Sequence, residues 1–127
     1  MDRLFRGINV VSISVPDLIA AKAFYEETLG LGAPLYDLPE AGWIEFSAGR
    51  SGGGNLSLVQ AGVDWRPSTG TTVVLDVEDC QAAVEELRQR GVTCEDAQVF
   101  PGFVVFASFF DPFGNRLQMC SPAPASG

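Results

Sequence analysis

The sequence has 127 residues, of which 46% are hydrophobic, and it includes nine Phe and two Trp. A chain of this length and composition can bury a core and fold as one ordinary domain, so it is not a disordered segment. Its formal net charge of −8 at pH 7 repels phosphate backbones, which argues against nucleic acid as a partner. No stretch approaches the roughly 20 apolar residues that span a bilayer. We therefore expect a cytoplasmic protein without a membrane partner.

The histidine and cysteine content limits which catalytic and metal-binding sites the sequence can form. Histidine is absent, which removes the commonest general base and the commonest transition-metal ligand. The three cysteines, Cys80, Cys94 and Cys120, are odd in number, lie far apart and lack CxxC spacing. We expect free, reduced thiols and no zinc or dithiol site.

An internal repeat organises the chain. The segment 14–21 (SVPDLIAA) recurs at 76–83 (DVEDCQAA), and each copy is typical of a strand end, an Asp N-cap and the start of a helix. The helices are predicted to end at Gly30 and Gly91, which suit C-terminal caps. Two copies of about 60 residues are too few for a solenoid, so a domain of two paired modules is expected.

The predicted elements follow the same order in both modules. The first has a strand over 8–15, a helix over 17–29 and short strands near 35–38, 43–47 and 55–60. The second has a strand over 72–77, a helix over 79–90 and short strands near 93–97, 103–110 and 116–120. The modules thus cover 7–60 and 71–120, joined by a linker over 61–70 and followed by a frayed tail over 121–127. A glycine-rich loop over 49–54 lacks the Lys-Ser/Thr of a phosphate loop.

Alternation along four strands separates two faces of the predicted sheet. One face is apolar and should pack on the helices. The opposite face is polar but mostly uncharged, and it either meets water or, in a curved sheet, lines a cavity. Its residues are Val10, Ser12, Ser14, Asn55, Ser57, Val59, Thr72, Val74, Asp76, Arg116, Gln118 and Cys120.

Local motifs in both modules resemble one known superfamily. In the first module they are Val15-x-Asp17 with Ala21, Phe24-Tyr25 and the segment 29–32 (LGLG); in the second they are Val77-x-Asp79, Leu87, Gly91-Val92 and the segment 110–115 (FDPFGN). From about Ile8 to Met119 the chain thereby resembles the vicinal-oxygen-chelate superfamily of glyoxalase I, extradiol dioxygenases, fosfomycin-resistance enzymes and bleomycin-binding proteins.

The resemblance implies an α+β fold. Two βαβββ modules would form a curved, mixed, eight-stranded sheet, a cup with the helices on its convex side. Open sheet edges and exposed aromatic residues also favour a homodimer.

Metal-dependent members of this superfamily supply up to four ligands, usually His and Glu, from the first and last strands of each module. By the resemblance, these positions fall on Val10, Ser57, Thr72 and Gln118 here. Val cannot bind a metal, and neutral Ser, Thr and Gln side chains are poor ligands for divalent transition metals. We therefore expect no metal at this site and no other cofactor.

Members of the superfamily that lack the metal ligands resemble bleomycin-resistance proteins. By this resemblance, the chain is expected to sequester an aromatic or cationic small organic molecule, either an antibiotic or a metabolite. An aromatic slot beside a carboxylate would hold it by stacking and cation–π contact. Phe100, Phe103 and Phe113 are expected to cluster near the last strands, and Trp65 lies in the linker. The candidate ligand-binding residues are Ser12, Trp43, Glu45, Ser57, Thr72, Phe103, Arg116 and Gln118.

Three of these residues could have a structural role instead. Trp43 could equally belong to the core or a dimer interface, and Glu45 could be a solvated surface carboxylate. Arg116 could orient a ligand carboxylate, or it could pair with Glu45 or Asp76, and we rank pairing first because an unpaired cavity charge is costly.

Two enzymatic functions are alternatives to binding. In the first, Glu45 or Asp76 transfers a proton on the bound ligand, as in a glyoxalase-like lyase or isomerase. In the second, the chain is a metal-dependent lyase or dioxygenase with displaced ligands.

Overall fold

The computed structural model describes residues 3–49 and 53–123. The chain divides into two compact units, Met1–Trp65 and Arg66–Gly127. Residues 50–52 of the glycine-rich loop and 124–127 of the predicted tail lie outside the described residues. In the part of the chain that is described, no helix has the length and apolar character needed to cross a membrane.

The first unit contains a helix and a four-stranded sheet in the order β1-β4-β3-β2, in which β1 runs parallel to β4 and the other pairs are antiparallel. Its elements are β1 (Val10–Val15), α1 (Leu18–Ala23), a π-helical turn (Phe24–Thr28), β2 (Tyr36–Leu38), a 3-10 turn (Pro39–Ala41), β3 (Trp43–Phe46) and β4 (Asn55–Gln60). The predicted single helix therefore widens in its second half, where Leu29 N donates to Phe24 O at 2.8 Å.

The second unit repeats this topology. Its sheet has the order β5-β8-β7-β6, in which β5 runs parallel to β8. Its elements are β5 (Val73–Asp76), α2 (Cys80–Gln89), β6 (Gln98–Phe100), β7 (Val104–Phe110) and β8 (Arg116–Pro122).

Two predicted boundaries in the second unit were wrong. The strand expected near 93–97 lies at Gln98–Phe100, and within 93–97 only Cys94 forms a bridge, to Phe109. The last strand continues past Cys120 through Pro122, because Ser121 is buried and its Oγ accepts a hydrogen bond from Cys80 N at 3.0 Å. Ser121 and Pro122 therefore belong to β8 and not to a frayed tail.

The α+β class is confirmed, since the described residues form eight strands in two βαβββ units. They are hydrogen-bonded as two four-stranded mixed sheets rather than as one eight-stranded sheet, because the first strand of each unit pairs with the last strand of the same unit. In each unit the helix packs against one face of its own sheet.

The core of each unit lies between the helix and the sheet, on the face that alternation predicts. The buried side chains of the first unit are Val15, Leu18, Ala21, Tyr25, Ile44, Phe46, Leu56 and Leu58. Those of the second are Cys80, Val84, Leu87, Val92, Val105, Ala107, Phe109, Leu117 and Met119.

Both helices begin with the predicted Asp caps. Asp17 Oδ1 accepts from Ala20 N and Asp79 Oδ1 accepts from Ala82 N, each at 3.1 Å. A side chain near the end of the last strand adds a second acceptor, since Gln60 Oε1 binds Leu18 N at 3.1 Å, as Ser121 binds Cys80 in the second unit. Each helix start is thereby fixed to the sheet of its own unit.

The predicted turn after β7 depends on a buried carboxylate. Asp111 is 4% exposed, and its Oδ1 accepts from Phe113 N at 3.0 Å and from Asn115 N at 2.9 Å. Its Oδ2 accepts from Asn115 Nδ2 at 2.9 Å. The Asp-Pro-Phe-Gly-Asn motif therefore starts β8 by satisfying the amide groups of a tight turn.

We expect Asp111→Ala to lower the free energy of unfolding by roughly 2–4 kcal/mol, because it leaves buried amide donors without acceptors. Urea denaturation followed by circular dichroism measures this loss. The control is Asp64→Ala, which removes an exposed carboxylate. Equal stability of the two variants would contradict the role given to Asp111.

The three cysteines are free, and Cys80 is fully buried while Cys94 and Cys120 are half-buried. Burial raises the pKa of the Cys80 thiol above its ordinary value.

We expect a disulfide reagent at neutral pH to label Cys80 last, because the protonated thiol is both shielded and unreactive. Labelling of Cys80 should accelerate as the pH rises, and the slow phase should be absent from the Cys80→Ala variant. A single fast phase for all three thiols in the folded protein would refute this order.

Candidate functional site

The first sheet has one side facing away from α1, which we call the first open face. Its side chains form cross-strand rows, because Ser12 pairs with Ser57, Ser57 with Glu45, and Glu45 with Tyr36. A second row is formed by Ser14, Val59, Trp43 and Leu38. Residues from all four strands thus share this face.

Glu45 lies in the first row and is only 8% exposed, so it is not the solvated carboxylate considered above. Its Oε1 accepts from Trp43 Nε1 at 3.1 Å, and its Oε2 accepts from Asn55 Nδ2 at 2.8 Å. Both donors are neutral, and no ion pair involves Glu45 in the part of the chain that the structure describes. The first open face therefore holds a buried carboxylate without a cation of its own unit.

Serine hydroxyls flank this carboxylate. Ser57 is fully buried, and its Oγ lies 2.7 Å from that of Ser12, which is exposed. At the end of the unit, Trp65 Nε1 donates to Ser14 O at 3.0 Å and to Ser14 Oγ at 3.1 Å. The linker tryptophan is thus fixed to β1.

The corresponding side of the second sheet, away from α2, is the second open face. Ser108 is 5% exposed, and its Oγ accepts from Arg116 Nε at 3.1 Å and from Gln118 Nε2 at 3.2 Å. Ser108 lies opposite Gln118 in the register, and Phe110 lies opposite Arg116. This face therefore presents a guanidinium and an amide, both oriented by one buried hydroxyl.

Asp76 does not form an ion pair with the guanidinium of Arg116. It is exposed and lies opposite Cys120, four residues from Arg116 along β8, which is about 13 Å. The pairing of Arg116 with Glu45 or Asp76 that we ranked first is not found among the described residues, and Arg116 instead donates to Ser108, which lies beside it on the neighbouring strand.

The predicted aromatic cluster was wrong in composition. Phe103 is 78% exposed and precedes β7, whereas Phe113 lies in the turn that follows the same strand. A seven-residue strand separates them by about 20 Å. The ring that stacks on Phe100 is Phe106, at 5.5 Å between centroids and 14° between planes.

The four positions of the superfamily's metal ligands do not fit a divalent metal. Val10 has no donor atom, Thr72 is half-buried and precedes β5, and the side chains of Ser57 and Gln118 are hydrogen-bonded within their own sheets. Within residues 3–49 and 53–123, no three His, Cys, Asp or Glu side chains are grouped to hold a metal ion.

Sequence reasoning missed Ser108 as a site residue and did not connect Asn55 with Glu45. Ser108 is the one polar residue of the strand segment 104–110 (VVFASFF), and this contrast was its signal. Asn55 was placed on the polar face, but its bond to Glu45 follows only from the antiparallel register of β3 and β4.

Comparison with solved structures finds relatives over nearly the whole chain. TnmS3, an antibiotic binding protein from Streptomyces sp. CB03234, is 27% identical, with a TM-score of 0.80 over 96% of this chain and 100% of that one. A glyoxalase/bleomycin resistance protein from the same organism is 28% identical, with a TM-score of 0.71 over 89% and 98%. A glyoxalase/bleomycin resistance protein/dioxygenase from Nocardioides is 21% identical, with a TM-score of 0.74 over 99% and 88%, and shows the fold alone.

Comparison with curated proteins finds no significant match. A family model, in contrast, matches residues 7–119, which include both units' helices and all eight strands except the end of β8. The chain therefore belongs to the Glyoxalase/Bleomycin resistance protein/Dioxygenase superfamily.

Proposed function

We propose that this protein sequesters an aromatic or cationic small organic molecule, an antibiotic or a metabolite, and leaves it chemically unchanged. The observation that carries this proposal is Glu45, a carboxylate that is 8% exposed and that, among the described residues, accepts hydrogen bonds from the neutral donors Trp43 and Asn55 and forms no ion pair. Burial of a charge without a counter-charge is unfavourable, and a ligand cation would supply that counter-charge.

Trp43 adds the second element of recognition. Its indole is half-buried on the same face as Glu45, and the bond from Nε1 to Glu45 fixes its orientation. A tryptophan held in this way can stack on a planar ligand or contact a cation without losing much side-chain entropy on binding. The remainder of the row, Ser12 and Ser57, offers hydroxyls for polar groups of the ligand.

The proposal includes a site without metal. The reason is the chemistry of Val10, Ser57, Thr72 and Gln118, which does not suit a divalent cation. Likeness to TnmS3, which is named as an antibiotic binding protein, supports the binding of an organic molecule.

The alternative is proton transfer by a carboxylate of the open faces. Glu45 is the candidate base of this alternative because it is buried on the first open face beside the Ser57 hydroxyl, whereas Asp76 is exposed. Turnover of a bound compound that disappears in Glu45→Gln would establish this function instead.

We further propose a homodimer, because apolar side chains are exposed on the edge strands β2 and β6 of the two sheets. These side chains are Tyr36, Leu38, Val99 and Phe100.

We expect light scattering after size exclusion to give twice the mass of the 13.5 kDa chain. A monomer at micromolar concentration would refute the assembly but not the binding function.

Thermal melting against bleomycin, acridine orange, other aromatic antibiotics and divalent metals tests the binding function. A ligand at a hundredfold its dissociation constant adds about 2.7 kcal/mol to the free energy of unfolding. We expect Trp43→Ala to abolish the shift caused by an aromatic compound, because the stacking surface is lost. Glu45→Gln should weaken the binding of an aromatic cation such as acridine orange about tenfold, and it should affect the binding of a neutral aromatic compound less.

The matched control is Ile19→Ala, which removes an exposed apolar side chain from α1, on the opposite side of the sheet. It should leave every ligand shift unchanged. If a divalent metal alone raises the melting temperature strongly, the metal-free assignment is wrong and the chain is to be treated as an enzyme.

A further inference from the structure

We propose that the second open face binds the carboxylate of an aromatic acid, with Arg116 as its principal donor and Phe110 beside the ring. This goes beyond the proposed function, since it assigns a further class of ligand to a separate set of residues within the second unit. It also extends the sequence expectation that Arg116 could orient a carboxylate, because the structure now supplies the partners.

The guanidinium of Arg116 is oriented but not neutralised. Its Nε donates to the buried Ser108 Oγ at 3.1 Å, so the hydroxyl holds the stem of the guanidinium. Among the described residues of the second unit, Arg116 forms no ion pair, and its two terminal nitrogens remain available. Two parallel N–H groups of this kind match the two oxygens of a carboxylate.

Two of the three other arginines of the same unit form ion pairs. Arg88 lies 2.8 Å from the carboxylate of Asp96, and Arg90 lies 3.1 Å from that of Glu86. Among the described residues, Arg116 is the cation of the second sheet, and no carboxylate lies beside it in the strand register. Asp76, on the same face, is about 13 Å away along the strand.

The neighbours of Arg116 indicate the rest of the ligand. Phe110 lies directly opposite it on β7 and is half-buried, so an aromatic ring attached to the carboxylate has an apolar surface to contact. Gln118 is held by the same Ser108 hydroxyl through Nε2 at 3.2 Å, which places a further polar group one row away. An aromatic carboxylate satisfies both features better than an aliphatic acid or a phosphate.

Titration with benzoate, followed by the Nε–Hε signals of the arginines in ¹⁵N NMR spectra, tests this site. We expect a saturable shift of the Arg116 signal and of the Ser108 and Gln118 backbone amides. Benzamide has the same shape without the charge, and we expect it to bind at least about tenfold more weakly. Unsaturable or equal shifts with both compounds would overturn the proposal.

Variants separate this site from general electrostatic attraction. Arg116→Gln should remove the preference for benzoate, and Arg116→Lys should retain only part of it, because Lys keeps the charge but loses the planar pair of donors. Arg90→Gln removes the same charge from the helix and should leave the preference intact. If Arg90→Gln reduces benzoate binding as much as Arg116→Gln does, the proposal is wrong.

The outcome is independent of the first open face. Saturable benzoate binding without any shift caused by larger aromatic compounds or cations would support the Arg116 site while refuting the proposed sequestration through Trp43. Conversely, a melt shift that depends on Trp43, together with equal binding of benzoate and benzamide, would retain the proposed function and overturn this inference.

Discussion

In each unit, the parallel pairing of the first strand with the last is the contact on which the other features depend. It places β1 beside β4 and β5 beside β8, although a helix and two further strands lie between them in the chain. Parallel partners require such a crossover, and here the helix supplies it and covers one face of the sheet. The same strand ends then cap the helix, through Gln60 in the first unit and Ser121 in the second. Strand pairing, core and helix start are consequently one cooperative arrangement.

That pairing also determines which polar groups meet. Because the register joins Ser12 to Ser57 and Ser57 to Glu45, a single row on the first open face collects two hydroxyls and a carboxylate. The equivalent face of the second sheet collects a hydroxyl, an amide and a guanidinium around Ser108. The repeat therefore keeps the backbone topology, while the charged group that is hydrogen-bonded to neutral partners is a carboxylate in the first sheet and a guanidinium in the second. A duplicated fold can in this way present two different sets of polar groups without any change in topology.

Much of the fold followed from the sequence, since the repeat, the Asp caps and the alternation of apolar residues are local signals. The misplaced β6 shows their limit. The segment 93–97 was predicted as a strand, but β7 pairs with Gln98–Phe100, because register is set by the partner strand and not by the segment's own composition. The candidate site was less predictable. The bond of Asn55 to Glu45 and that of Ser108 to Arg116 join neighbouring strands, and no spacing in the sequence indicates them.

The same bonds connect the four superfamily ligand positions with the proposed recognition of an organic molecule. At two of the four superfamily positions, Ser57 and Gln118, the side chains are engaged by neighbouring hydroxyls within their own sheets. At a third, Val10, the side chain has no donor atom. Replacing His and Glu by these groups removes ligands that would need a divalent cation, and it leaves the charges of Glu45 and Arg116 on rows built from neutral partners. Charges in such surroundings are compensated best by a molecule that brings its own, so the lack of metal ligands and the proposed preference for charged organic groups have one physical basis.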